Sequence, residues 1–365
     1  MENFCDTVAV KYLEKRPDLM TNTFTQRDNL PSLEQLVELW EEMHPTKKTM
    51  MQTAFYVNES KSLEHLHASN ILLCGYINDH IVSSSADKSL NIISKDDKVI
   101  SIRTSKLGHT APILSVVKSS DNIIMGGIDG KLTMLPWDAL LEHDFEKNLQ
   151  IKAHDKYIST IATNNQCIAT GSYDKTVHIY NSDLEILKTL NFPGSVEKVK
   201  YDKNQLFICC RNSSFIFQYI SADDILLEHN MNEKLDDFVS FDILDFDIRN
   251  NHLILTTNQP SGRMIYCALY PFKIIRNYYG ISVDNYFLPK IRFIYDACFV
   301  ATSADHELYL YKIESDVEHA TIDNRYLVIT GHRNIIRGLA VEGNKILSCG
   351  FDGILMETDL IEKEI

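Results

Sequence analysis

Between residues 153 and 181 the chain reads AHDKYISTIATNNQCIATGSYDKTVHIYN, and its apolar positions fall into three short runs. The first alternates around Tyr157 to Ile161, the second spans Cys167 to Gly171, and the third spans Val177 to Tyr180. Period-two alternation in short runs bounded by polar stretches predicts β-strands, with Asp174 in the tight turn between the second and third.

The same outline recurs along the chain. A His ahead of the first run and an Asp after the second lie twenty positions apart in four places: His67 to Asp87, His109 to Asp129, His154 to Asp174 and His332 to Asp352. Gly108 and Gly331 precede two of these histidines. A fixed interval repeated in phase marks a repeat architecture. Extending it through the middle places further turns at Asn212, Asn258 and Asp305, which makes seven repeats of about 40 to 45 residues. Apolar runs fall where strands are required: LFICC and FIFQYI in the fourth repeat, HLILTT and MIYCALY in the fifth, CFVATS and ELYLYKI in the sixth. There the His position is taken by Phe192, Phe238 and Asn285.

The segments SSSADKSLNIIS, MGGIDGKLTMLPWD, TGSYDKTVHIYN, TSADHELYLYK and SCGFDGILMETD, running from Ser83 to Asp359, resemble the WD-repeat family. The Trp of that family's pattern is replaced by Ile93, Leu135, Tyr180, Tyr311 and Thr358. The resemblance implies an all-β fold, a seven-bladed WD-repeat β-propeller over residues 49–365. It also implies a structural hydrogen-bond network of His67, Asp87, His109, Asp129, His154, Ser172, Asp174, Asp305, His332 and Asp352. His154, Ser172 and Asp174 resemble a hydrolytic triad on paper. Their recurrence blade after blade, with no G-x-S-x-G elbow beside them, favours the structural role.

After Asp359 only LIEKEI remains, so the seventh repeat is one strand short. The apolar stretch MMQTAFYVN is expected to supply it through residues 52–57, closing the ring and removing its exposed sheet edges. Residues 1–48 follow a different pattern. Asp6 is placed to cap a short helix that Pro17 ends, and Ser32 with Gln35 forms a capping box ahead of a stripe of Leu33, Leu36, Val37, Trp40 and Met43. This short α-helical N-terminal segment either docks on the propeller or pairs with a second copy. The stretch VAVKYLEKRPDLMTNTF resembles a LisH motif, which implies a homodimer.

A length of 365 residues suits one such propeller with a short extra segment. The net charge of −14 disfavours direct nucleic-acid binding, because phosphate affinity comes from Lys and Arg. Eight cysteines without C-x-x-C spacing, Cys209, Cys210 and Cys349 among them, read as reduced core residues and point to the cytoplasm or nucleus. The sequence shows no membrane-span run and no signal-peptide layout. GGIDGKL fails as a phosphate loop, with Met125 in place of the required Gly and Leu132 in place of the hydroxyl. A phosphoinositide-type F-R-R-G is also lacking, Arg337 standing alone between Ile336 and Gly338. No metal or cofactor motif is found, so none is expected.

Family geometry implies that the residues just before each turn Asp and just after each His face outward around the central channel. Here these are Ile128, Tyr173 and Phe351, with Lys156, Tyr157, Arg333 and Ile335. Aromatic, apolar and Arg side chains in such places suit protein contacts. The expected function is a non-enzymatic protein–protein interaction scaffold or adaptor in an intracellular multiprotein complex. The alternative is a substrate receptor of a ubiquitin ligase. For that reading the W-D-x-R motif is missing, since Ala139 and Leu140 follow Trp137 and Asp138.

Overall fold

The computed structural model describes residues 53–232, 240–284, 286–296, 298–313, 325–329 and 331–364. The expected N-terminal helices, with Leu33, Leu36, Val37 and Trp40, lie outside the described residues, as do Phe238 and Asn285.

After β1 (Thr53–Leu63) the strands fall into successive sheets. Blade 1 holds β2 (Ile71–Ile77), β3 (His80–Ser85), β4 (Ser89–Ile93) and β5 (Val99–Arg103), and blade 2 holds β6 (Ile113–Ser119), β7 (Asn122–Gly127), β8 (Lys131–Pro136) and β9 (Leu149–Lys152). A one-turn helix, α1 (Trp137–Leu141), is inserted between β8 and β9. Blade 3 is β10 (Ile158–Thr163), β11 (Ile168–Ser172), β12 (Thr176–Tyr180) and β13 (Ile186–Asn191), and blade 4 is β14 (Val196–Asp202), β15 (Gln205–Cys210), β16 (Phe215–Ile220) and β17 (Ile225–Asn230). Blade 5 is β18 (Ile243–Arg249), β19 (His252–Thr257), β20 (Met264–Leu269) and β21 (Phe272–Tyr278), and blade 6 is β22 (Ile291–Tyr295), β23 (Cys298–Thr302), β24 (Leu308–Lys312) and β25 (Arg325–Ile329). In blade 7, β26 (Ile336–Glu342), β27 (Lys345–Gly350) and β28 (Leu355–Glu364) are joined by β1 in the order β1-β28-β27-β26. The result is a seven-bladed β-propeller in which blades 1 to 6 are four-stranded antiparallel meanders and blade 7 is a three-stranded one completed by β1.

Burial explains why the inner strands read as apolar runs while the outer ones alternate. The second strand of a blade is covered on both faces by neighbouring sheets, and β11 is accordingly buried at every residue. The fourth strand faces outward, and in β13 most residues are exposed. Seven apolar clusters hold the ring, one in each interface between adjacent blades. Leu206 and Ile208 meet Val177 and Ile179 between blades 3 and 4, for example, and Ile71 meets Leu347 and Leu355 between blades 1 and 7. The position six residues past each turn Asp, where the sequence lacks Trp, is buried in all five cases: Ile93, Leu135, Tyr180, Tyr311 and Thr358. The smaller side chains keep the role of filling the interface and give up the indole.

Ring closure is made by Phe55, buried in the cluster between blades 6 and 7 and stacked on Tyr295 with ring centroids 5.0 Å apart. Side-chain bonds from Asn58 to Asp359 (3.0 Å) and between Ser60 and Thr358 (3.3 Å) hold β1 to β28. The strand is longer than the sequence suggests, running to Leu63. Past Val57 its residues NESKS are polar because only one neighbour covers them.

A bulge recurs at the start of the innermost strand pair and shapes the channel. The register skips one residue in blades 1, 2, 3, 4, 5 and 7, leaving Leu72, Leu114, Ser159, Glu197, Leu244 and Arg337 unpaired. An extra residue of this kind re-aims its side chain. All of these but Leu244 line the central channel.

Candidate interaction face and central channel

The recurring His–Asp pairs sit at one rim of the ring. In blade 3, His154 Nδ1 lies 2.9 Å from Asp174 and 3.0 Å from Thr176, while Nε2 lies 2.7 Å from Thr170. Asp174 also accepts the backbone N–H groups of Asp155 (3.1 Å) and Thr176 (3.0 Å), which ties the entering loop to the turn. In blade 7, His332 reaches Asp352 at 2.8 Å and Ser348 at 2.9 Å. In blade 2, His109 lies 3.0 Å from Asp129. Blade 1 differs. There His67 bonds Ser89 and Ser83, and Asp87 stands back at 3.8 Å, accepting the Ala68 N–H instead. These four histidine side chains are 0 to 1% exposed, so no substrate can reach them.

Burial pushes His67, His109 and His154 toward the neutral form, His154 down to about 4. Burial alone would raise the partner carboxyls, but hydrogen bonds outweigh it. Thr176 and His154 thus hold Asp174 below the usual carboxylate range, and Asp87, Asp129 and Asp352 are lowered likewise.

Two expected network members are placed differently. Ser172 does not face His154: it donates to the Tyr157 carbonyl at 2.9 Å and accepts the Asp174 N–H at 3.1 Å. The hydroxyl on the His is Thr170, because the ring reaches one pleat deeper along β11 than the strand end where Ser172 sits. Asp305 accepts from the Tyr309 hydroxyl at 2.6 Å, an aromatic partner from the next strand of its own blade. In blade 5, Asn258 Oδ1 accepts the Asp242 N–H at 2.8 Å, so the amide does half of an aspartate's work.

The hydroxyl position four residues before the turn Asp holds Ser83, Thr170 and Ser348 in blades 1, 3 and 7 but Met125 in blade 2. As a consequence His109 Nε2 is buried without a hydrogen-bond partner among the described residues.

The expected face residues divide into outward and inward groups. Ile128 (41%), Lys156 and Arg333 (78% for its side chain) are exposed, whereas Tyr157, Tyr173, Ile335 and Phe351 are half-buried. Tyr157 and Tyr173 stack with centroids 4.0 Å apart at the channel mouth. The Tyr173 hydroxyl donates to Glu197 at 2.9 Å, and Arg211 pairs with the same carboxylate. Phe351 lies under the Arg337 guanidinium, 5.5 Å from its centroid, and shares a groove of about 390 Å³ with Arg333 and Glu64.

The channel itself carries charge that the sequence reading missed. Its cavity of about 300 Å³ is lined by the apolar Leu72, Leu114 and Val116 and by the charged Glu197, Lys198, Lys290, Arg292 and Arg337. Arg292 pairs with Asp245 at 2.6 Å, and Lys200 pairs with Asp247. These residues come from four blades, so no local motif joins them. The available signal is the charge within first strands, VEKVKYD, ILDFDIR and IRGLAVE, at positions where a strand covered on both sides would be apolar.

Among the described residues no group of three metal-ligating side chains comes together, and no helix is long and apolar enough to cross a membrane.

Residues 145–181, from just before β9 to the end of β12, match the family described as "WD domain, G-beta repeat". A comparison with curated protein sequences found no match. Among solved structures, one titled "Crystal structure of WD40 beta propeller domain of Doa1" superposes with a TM-score of 0.64 at 15% identity, covering 84% of this chain and 97% of that one. At that identity the likeness speaks for fold alone.

Proposed function

We propose that this chain, a seven-bladed propeller of the WD40 type, is a non-enzymatic protein–protein interaction scaffold or adaptor subunit. One observation carries the reading. The polar groups capable of chemistry at the His–Asp rim are turned inward and mutually bonded, and the outward positions hold Ile128, Lys156 and Arg333. Apolar and cationic side chains around a rigid mouth are suited to anchoring a segment of another protein. The described cysteines are free thiols, which agrees with a place in the cytoplasm or nucleus.

The half-buried Tyr173 and Phe351 pack within the rim, so the test belongs on the exposed positions. Ile128→Asp combined with Arg333→Glu leaves the melting temperature unchanged, because neither side chain is buried, and removes proteins that co-purify with the tagged full chain. Full recovery of those proteins by the double variant refutes use of this face. Ligase subunits among them would select the ubiquitin-ligase receptor over the general scaffold. The N-terminal stripe of Leu33, Leu36, Val37 and Trp40 is assigned to docking or homodimerisation, which light scattering with and without residues 1–45 separates.

A further inference from the structure

We propose that the central channel is a binding site for a compact, multiply charged oxyanion, a small phosphorylated or polycarboxylate molecule. The proposal does not depend on the scaffold reading, whose test residues Ile128 and Arg333 are not among those lining the channel.

Charge balance around the cavity leads to this. Two of its charges are matched locally: Glu197 by Arg211, and Arg292 by Asp245. Three further cations share what is left. Among the described residues Lys198 Nζ makes no hydrogen bond, and its one ion pair is a long one, 3.9 Å to the Asp245 carboxylate that Arg292 already holds. Among the described residues neither Lys290 nor Arg337 has a carboxylate partner; Arg337 rests on the Phe351 ring. Around one cavity, Lys198, Lys290, Arg292 and Arg337 are left with the single carboxylate of Asp245, an excess of positive charge out of keeping with a chain whose net charge is −14. Like charges confined in a partly desolvated space repel, and an anion among them relieves that repulsion.

Of the carboxylates near the cations, Asp245 and Asp247 are not among the lining residues, and Glu197, which is, has its carboxylate engaged by Arg211 and the Tyr173 hydroxyl. The Asp245 side chain is 1% exposed, with one oxygen bonded to Arg292 and the Ile291 N–H and the other without a hydrogen-bond partner. Lys198 and Arg292 remain open to channel solvent at 24% and 18%. A ligand therefore meets ammonium and guanidinium groups first. The volume, about 300 Å³, is at the small end of cavities that hold organic ligands. The apolar residues in the lining suit a short apolar part. An extended acidic peptide is disfavoured by that size.

Lys198 adds a proton signature. Burial lowers its ammonium to about 7, helped by Arg292, Lys290 and Lys200 and opposed by Asp245; the Cys209 thiol on the paired strand is held protonated by burial. A bound anion restores the proton. Binding thus takes up a proton above neutrality, and affinity for an anion whose own charge is constant over that range, such as citrate, falls as pH rises from about 7 to about 8.5.

The experiment is calorimetric titration of the full chain with inorganic tripolyphosphate and, separately, citrate, at about 1 mM and low salt. The two probes distinguish phosphate from carboxylate chemistry. One site is expected for either probe, weakening roughly tenfold or more across that pH interval for citrate, whose charge is constant there, and by a similar factor for both probes in Lys198→Gln with Lys290→Gln. In the double variant Asp245 keeps Arg292 and the Ile291 N–H and mutual repulsion among the cations falls, so the melting temperature without ligand stays the same or rises, which separates lost binding from lost fold. No binding of either probe overturns the proposal. So does equal binding by the double variant, which would place the ion elsewhere on the surface. Competition by an acidic decapeptide as effective as tripolyphosphate would reassign the channel to a protein tail.

Discussion

Acidification should loosen this propeller well above the range in which its carboxylates titrate, and His154 sets the size of the effect. Its folded value of about 4 lies below the ordinary 6.5, so the unfolded chain binds the proton that the folded one refuses. The stability from keeping it neutral is complete above pH 6.5 and is lost progressively as the pH falls toward 4. At about pH 5 the loss from this one ring is about 2 kcal/mol, because the unfolded state is nearly all protonated and the folded state is not. In a chain of this size that lowers the melting temperature by about 3 °C. His67 and His109 are shifted in the same direction and add to it. Urea unfolding of the parent and of His154→Gln at about pH 8, 6 and 5 reads the effect as a slope. The variant is weaker at high pH, having lost its bonds to Asp174 and Thr170, but loses less on acidification. If its slope equals the parent's, His154 is not the group that takes the proton.

Asp174→Ala should cost about 1 to 3 kcal/mol in urea unfolding by leaving the Asp155 and Thr176 N–H groups and His154 Nδ1 without their acceptor; an unchanged midpoint would mean the turn does not need its carboxylate. Met125→Thr should be more stable than the isosteric Met125→Val by about 1 kcal/mol, since the hydroxyl reaches His109 Nε2, reversing the usual preference at a buried site. Equal midpoints would show that the ring is satisfied in another way. Removing residues 1–52 spares β1 and should leave cooperative melting, whereas removing residues 1–63 takes Phe55 out of the interface between blades 6 and 7 and should give insoluble or molten protein. Identical melts for the two truncations would deny β1 its part in closing the ring.

What could be read from the sequence was what repeats. The His-to-Asp interval carried the turns of blades 1, 2, 3 and 7, and apolar runs such as LFICC and HLILTT located inner strands even where the His had gone. What could not be read was anything fixed by a single pleat or by several blades at once. Ser172 and Thr170 lie on the same face of β11, two residues apart, and only the depth of the imidazole decides between them. Tyr309 beside Asp305 has no counterpart in the other blades. Tyr173 and Phe351 were legible as positions near the mouth, but their burial depends on Glu197 and Arg337 from other strands. The channel cations escaped for the same reason, being brought together by ring closure and not by spacing along the chain.

The bond between Asn58 and Asp359 joins residues 301 positions apart. On a ribosome adding about 5 to 20 residues per second, β1 is made roughly 15 to 60 s before the strand it will pair with. Throughout that interval its backbone edge and the Phe55 ring have no native place, while the intervening blades can stack one on the next as they emerge. Completion of the ring therefore waits on the synthesis of β28. A pause or truncation before β28 would leave a stack of finished sheets with two open ends, a species recognisable to chaperones by an aromatic strand it cannot yet put away.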